Sequence, residues 1–436
     1  MTNRRQRARD TVFHIAELLA DPERVTSVVE PKNQWIALET GSTVPIWSRA
    51  SLASGYSGLA LFFAELSELD PSYAKHAHDY LNRAMLNAHS LQGYGLHQGV
   101  TGLAFAAAAC ARGMGAFHLA RSRLDSTIEH AVLGVTRRVL SGQVQLASIQ
   151  SYDVYDPLKG ITGVGEYLLT HGPKDSPLLP AILRSLVELG RPFQQEGMSM
   201  PGWWISASPA SGIAPYREGH LNFGLAHGMA GPLALFARSW HRGVRVQGHE
   251  DGAATVAEAL VRHAQEDEIG LHWPRYLEWE ALGRGNGPRS APTWCYGGVG
   301  IAHALQFAGV AFGQPAWKSL ADEVMRVELI RLSRGESLTN SFVCHGWAGL
   351  LLILHRYRFD SPNVVSQDHL DTIADRILGQ YRDDVPFGFR VGRMGDTRDV
   401  DIPGLLEGSA GVALALAAYL NGKPSTTGWS AIFSLS

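Results

Sequence analysis

Apolar positions along the chain fall into two alternating kinds of segment. One kind is amphipathic at helical spacing. In "HLDTIADRILGQY" (369–381), Leu370, Ile373, Ile377 and Tyr381 share one face, while Asp371, Asp375 and Arg376 lie elsewhere. "DGAATVAEALVRH" (251–263) and "WKSLADEVMRVEL" (317–329) read the same way. The other kind is apolar nearly all round: "LAFAAAACA" (103–111), "LLLILHRY" (350–357) and "VALALAAYL" (412–420). A helix apolar on every side is buried on every side. "LALFFAELSEL" (59–69), with Leu59, Phe62, Phe63, Leu66 and Leu69 at helical spacing, opens the series.

Each buried segment is introduced by the same short motif, G-x-x-G. It occurs as "GYSG" (Gly55, Gly58), "GVTG" (Gly99, Gly102), "GITG" (Gly160, Gly163) and "GMAG" (Gly228, Gly231). It continues as "GGVG" (Gly297, Gly300), "GWAG" (Gly346, Gly349) and "GSAG" (Gly408, Gly411). An open solenoid needs polar terminal caps. The last segment, near the C-terminus, is as apolar as the middle ones. The pattern therefore predicts closure: an all-α ring of about seven inner helices within about seven outer ones. It forms one domain over residues 1–436, its repeats beginning near 55, 99, 160, 228, 297, 346 and 408. The glycines would begin the inner helices and let neighbouring backbones approach near the axis. Residues 194–224, rich in Gly, Pro and Ser, predict an irregular loop. Its Trp203 and Trp204 suit either an exposed peptide-contact surface or a cover over the ring's rim.

Composition narrows the function. A net charge of −3 offers no basic footprint for nucleic acid. Three cysteines are too few for a disulfide framework, which favours a reducing cytoplasm. No apolar run reaches the length of a membrane span, and the basic N-terminus lacks a signal-peptide pattern.

Chemistry collects just ahead of the glycine pairs. Cys295 and Cys344 lie two residues before Gly297 and Gly346, and His345 lies one before Gly346. His227, Lys159 and Glu407 directly precede Gly228, Gly160 and Gly408, and His97 lies two before Gly99. In a closed ring these residues meet at one end, at helix N-termini that favour a thiolate. Cys295, Cys344 and one histidine would make a zinc site with one position open. Two core cysteines and a hydrogen-bonded histidine would account for the same residues. Cys110, inside an alanine run, reads as a small core residue. Two thiolates and an imidazole neutralise zinc, which suits attack by a guest thiolate on carbon better than activation of water.

"YDPLKGITG" (155–163), "NFGLAHGMAG" (222–231), "TWCYGGVG" (293–300) and "CHGWAG" (344–349), in that order, resemble the lanthipeptide cyclases over most of the chain. The length suits a stand-alone class I cyclase. The resemblance implies an α/α-toroid and an intramolecular Michael addition, in which a precursor-peptide cysteine attacks dehydroalanine or dehydrobutyrine to give a lanthionine or methyllanthionine thioether. It implies one Zn2+ on Cys295, Cys344 and His345, the fourth position taking water or the substrate thiolate. It implies His227 as the acid that protonates the enolate, with Asp156 orienting His227 or stabilising its charged form. Asp153 competes for that role, but its spacing to Gly160 is less apt. Tyr296 is implied as a donor to the enolate oxygen or as a packed aromatic. The family's arginine ahead of Trp-Cys-Tyr maps onto Arg289, with Arg284 the fallback. The implied partners are a dehydrated precursor peptide with its leader, its dehydratase and a transporter. A prenyltransferase-type zinc toroid and a glutathione-binding relative of the cyclases are the alternatives. His220, His272 and His303 read as structural or surface residues rather than ligands.

Overall fold

The structure is a computed structural model describing residues 3–32, 35–36, 43–111, 117–142, 154–195, 197–206, 219–281, 287–390, 400–422, 425 and 427–436. Fifteen α-helices occur among these residues. They are α1 (Asn3–Leu19), α2 (Pro22–Val29), α3 (Tyr56–Leu66), α4 (Ala74–Leu86), α5 (Val100–Cys110), α6 (His118–Leu140), α7 (Ile161–His171) and α8 (Leu178–Leu189). After these come α9 (Ala230–His241), α10 (His249–Arg262), α11 (Gly298–Ala311), α12 (Pro315–Ser333), α13 (Trp347–Asp360), α14 (Gln367–Gln380) and α15 (Ser409–Asn421). The short α2 aside, amphipathic and fully buried helices alternate, and every buried one begins within a G-x-x-G. The all-α expectation holds, and no helix among the described residues is long and apolar enough to cross a membrane.

The buried helices carry almost no polar face. Residues 101 to 110 of α5 are all buried. In the amphipathic α10, Ala253, Val256, Ala257 and Leu260 face inward. The α12 stripe is different: Ala321, Val324 and Met325 continue into buried Glu328 and Arg331.

The chain divides into two compact units. The first comprises residues 1–125, 338–430 and 435–436; the second comprises 126–337 and 431–434. In the first, buried helices α13, α15, α3 and α5 pack in that order, with α1 on α15 and α14. Within this unit the last helix, α15, packs on both α1 and α3. Arg4 ties α1 down with ion pairs to Asp371 (2.6 Å) and Asp375 (2.8 Å) of α14. In the second unit, α7, α9 and α11 pack in series, with α8, α10 and α12 against them.

The second glycines let a neighbouring repeat approach, as at Gly102, where a Cβ would lie 2.7 Å from Leu52 Cβ, but the first glycines have a different reason from the one expected. None of the first glycines, Gly297 apart (φ 91°), needs a left-handed backbone. What they avoid is their own loop, which folds back over the helix start. A Cβ at Gly55 would lie 1.9 Å from the Ser48 carbonyl oxygen, and one at Gly408 would lie 2.6 Å from that of Gly404. The returning loop caps the helix with backbone. Tyr56 N–H donates to Arg49 O (2.7 Å), Met229 to Asn222 O (2.9 Å), Trp347 to Asn340 O (3.1 Å) and Ser409 to Ile402 O (3.0 Å). In each case the acceptor lies seven residues back. Amides that no intrahelical carbonyl can satisfy are thereby paired without a side-chain cap. The same wrap fixes the two residues just ahead of each first glycine, where the reactive side chains sit.

The 194–224 segment is only partly irregular. Eight short strands occur among the described residues: β1 (Trp35–Ile36), β2 (Thr43–Val44), β3 (Phe193–Gln195), β4 (Met198–Met200), β5 (His220–Asn222), β6 (Gln265–Glu266), β7 (Leu271–His272) and β8 (Tyr276–Glu278). β3 pairs with β4, and β5 pairs with β8, both antiparallel. Trp203 and Trp204 are buried, so the exposed peptide-contact reading fails. Trp203 packs edge-on against Tyr155, ring centroids 5.3 Å apart.

Candidate metal centre

The loop ahead of α11 presents Cys295. Its thiol is buried, and the Thr293 hydroxyl lies 3.3 Å from Sγ. The same hydroxyl is 3.3 Å from the Tyr296 amide, so one side chain braces both residues. Cys344 and His345 occupy the matching place ahead of α13. Cys344 N–H donates to Leu406 O (3.0 Å), and Cys344 Sγ lies 3.9 Å from His345 Nε2. His345 is exposed, and its Nδ1 is 3.5 Å from Glu407 Oε1.

One ligand atom each of Cys295, Cys344 and His345 lie within 4.8 Å of one another. Among the described residues this is the one group of three or more His, Cys, Asp or Glu side chains so placed. Ligands of tetrahedral zinc, with Zn–S near 2.3 Å and Zn–N near 2.0–2.1 Å, are separated by roughly 3.5–3.8 Å. The Cys344–His345 separation is close to that value. Two sulfurs and one imidazole fit zinc with an open fourth position, and His220, His272 and His303 stand outside the group, each buried. Cys110 is a core residue as expected: burial pushes its thiol up to about 12.

His227 sits ahead of α9, with a quarter of its side chain exposed. Its Nδ1 is 2.5 Å from Oδ2 of Asp156, which is wholly buried. Asp156 Oδ1 accepts the amides of Lys159 (2.6 Å) and Gly160 (2.9 Å), so the carboxylate also shapes the turn into α7. Asp156 is the aspartate the sequence pairing favoured; Asp153 lies outside the described residues. The His227 loop is joined to the cysteine loop through Ala226 N–H, which donates to Cys295 O (3.3 Å). Gly224 makes that approach possible, since a Cβ there would lie 2.5 Å from the Cys295 carbonyl.

Tyr296 is buried, its hydroxyl 3.1 Å from that of Tyr276 and 3.4 Å from Asn222 Nδ2. The Arg275 guanidinium lies over its ring, 4.5 Å from the centroid. Sequence reasoning missed Arg275, Tyr276 and Thr293. Only Thr293 had a signal, its place inside "TWCYGG". Arg289, expected near the site, pairs with Glu336 (2.9 Å) and donates to Ser290 O (3.3 Å); Arg284 lies outside the described residues. The wholly buried Glu328 faces the start of α11, the helix that follows Cys295. A Cβ on Gly298 would lie 2.3 Å from Glu328 Oε1. Burial raises the Glu328 carboxyl to about 7, opposed by Arg289, Arg331 and the Gly298 amide and assisted by Glu336.

Residues 46–434 match the family described as lanthionine synthetase C-like protein, and the chain belongs to that family. Among curated relatives it is similar to nisin biosynthesis protein NisC of Lactococcus lactis subsp. lactis, 24% identical over 363 residues, covering 79% of this chain and 83% of that protein. Among solved structures it is similar to nisin cyclase, with a TM-score of 0.73 and 21% identity, covering 89% of this chain and 93% of that one. At that identity the likeness establishes the fold, the α/α-toroid expected from the repeats.

Proposed function

We propose that the chain is a zinc-dependent lanthipeptide cyclase, forming thioether rings in a dehydrated precursor peptide. The observation that carries this reading is the grouping of Cys295, Cys344 and His345, in a chain of the lanthionine synthetase C-like family. These three residues would hold the ion. Zinc there would supply a cation that keeps a guest thiol deprotonated yet electron-rich.

The reaction is an addition whose atoms balance within the peptide. The substrate sulfur bonds to the β-carbon of a dehydrated residue, the C=C π bond breaks, and its electrons form an enolate. The thiol proton leaves to solvent, and a second proton must reach the α-carbon. His227 delivers it: Asp156 holds Nδ1, which assigns the exchange to Nε2, and solvent recharges the ring. The Tyr296 hydroxyl, oriented by Tyr276 and Asn222, donates to the enolate oxygen. Arg289, through Glu336, supports the loop ahead of Cys295. The substrate must already carry dehydrated Ser or Thr, so a dehydratase acts first and export follows, in a reducing cytoplasm that keeps substrate thiols free.

Metal content and turnover, measured on two variants, test the division of labour. Cys344→Ala is expected to lose zinc and activity together, whereas His227→Ala keeps stoichiometric zinc and loses ring formation. Full zinc retention by Cys344→Ala, or full activity of His227→Ala, contradicts it.

A further inference from the structure

We propose that Glu407 is a positioning residue for the metal ligand His345, selecting the ring tautomer and orientation that present Nε2 to the ion. The inference rests on the zinc reading above and adds a residue to it. Glu407 occupies the last repeat's copy of the position that carries His345 in the sixth and His227 in the fourth. Its loop is held from two sides. The amides of Leu405 and Leu406 both donate to Ala53 O (2.9 Å each), and Leu406 O accepts from Cys344 N–H (3.0 Å). The second bond lays the segment leading into Glu407 beside the Cys344–His345 pair.

The two nitrogens of the His345 ring are thereby divided. Nε2 lies 3.9 Å from Cys344 Sγ, and Nδ1 lies 3.5 Å from Glu407 Oε1. A neutral imidazole has one N–H and one lone pair. A carboxylate beside Nδ1 favours the tautomer with its proton there, which leaves the lone pair on Nε2, on the thiol's side. A carboxylate behind a ligating histidine also makes the imidazole a stronger donor. As an ion pair alone, with both side chains about two-fifths exposed, the contact would contribute little to stability. Its consequence lies in how tightly the ion is held.

The test uses the full chain with zinc and, separately, Co2+ as probes. Zinc affinity is measured by competition with a chromophoric chelator for wild type, Glu407→Ala, Glu407→Gln and Cys344→Ala, and the cobalt forms are compared by visible absorption. Glu407→Ala is expected to bind zinc about 10–100-fold more weakly, the usual range for such partners. Glu407→Gln, which keeps an oxygen of the same reach beside Nδ1 without the charge, is expected to fall between it and wild type. The metal-free variants are expected to melt with wild type, and the cobalt spectrum of Glu407→Ala to shift. Zinc affinities of both Glu407 variants within twofold of wild type overturn the inference while leaving the zinc site standing, provided Cys344→Ala has lost tight binding. If Cys344→Ala binds zinc as wild type does, the site reading fails, and this inference with it.

Discussion

Replacing Glu328 by Gln removes a charge that the fold does not accommodate well. The carboxyl is wholly buried on the inward stripe of α12, and among the described residues the one group that offers it a hydrogen bond is the Gly298 amide at the start of α11. Burial lifts it from 4.5 to about 7. Each pKa unit corresponds to about 1.4 kcal/mol, so ionising Glu328 in the folded protein costs roughly 3 kcal/mol more than in the unfolded chain. The helix dipole at the start of α11 favours the anion by only about 0.3–1 kcal/mol, so burial outweighs it. The folded value lies above the unfolded one, so the folded state binds more protons between about pH 4.5 and 7. Stability from this group is complete below that window and lost as pH rises through it. Glu328→Gln abolishes the loss. At an unfolding entropy of about 2.1 cal/mol/K per residue, 3 kcal/mol over a chain of this length is worth roughly 3 °C. The assay is thermal unfolding of both proteins at pH 5 and pH 8. The gap between variant and wild type is expected to widen in the variant's favour by that amount at pH 8. A variant equally destabilised at both pH values would refute the reasoning and make the ionised carboxylate a stabilising cap.

Two further outcomes are expected. Asp156→Asn leaves zinc content unchanged but lowers the ring-closure rate by about 10²–10⁴, because His227 loses its anionic partner; single-turnover kinetics with metal analysis check this. Arg238→Met leaves Glu166 without its partner in the buried ion pair between α9 and α7, and destabilises the protein by about 3–5 kcal/mol in urea unfolding. Adding Glu166→Met recovers much of that loss.

The architecture was readable because it is written twice, in helical periodicity and in the seven glycine pairs. Periodicity separated α10 and α14 from α5 and α15, and the glycines marked where buried helices begin. The reason for the first glycine of each pair was not readable, since the wrap of its own loop over the helix start leaves no periodic signal. The candidate metal ligands were legible because they lie one or two residues ahead of the glycine pairs, and Asp156 from the resemblance of "YDPLKGITG" to the cyclases, its spacing to Gly160 setting it ahead of Asp153. Arg275 and Tyr276 carried no such signal: β8 comes beside Tyr296 through pairing with β5, which no local pattern announces. Trp203 and Trp204 were left between two readings for the opposite reason. Their loop is rich in Gly, Pro and Ser, yet it supplies both rings to the core. Glu328 had a signal that went unused, a carboxylate where the apolar stripe of α12 should continue, facing the only copy of the repeat whose second residue is glycine.

The central claim is that a metal held by Cys295, Cys344 and His345 turns a peptide's own cysteine into the nucleophile. Ring closure leaves mass unchanged, so it is counted as loss of alkylatable thiols from a dehydrated precursor incubated with enzyme as isolated, after rigorous chelation, and after readdition of zinc. The account predicts thiol loss with the first and third and persistence at the enzyme-free level with the second. Equal thiol loss before and after chelation, or none in any arm with a precursor matched to this enzyme, contradicts it.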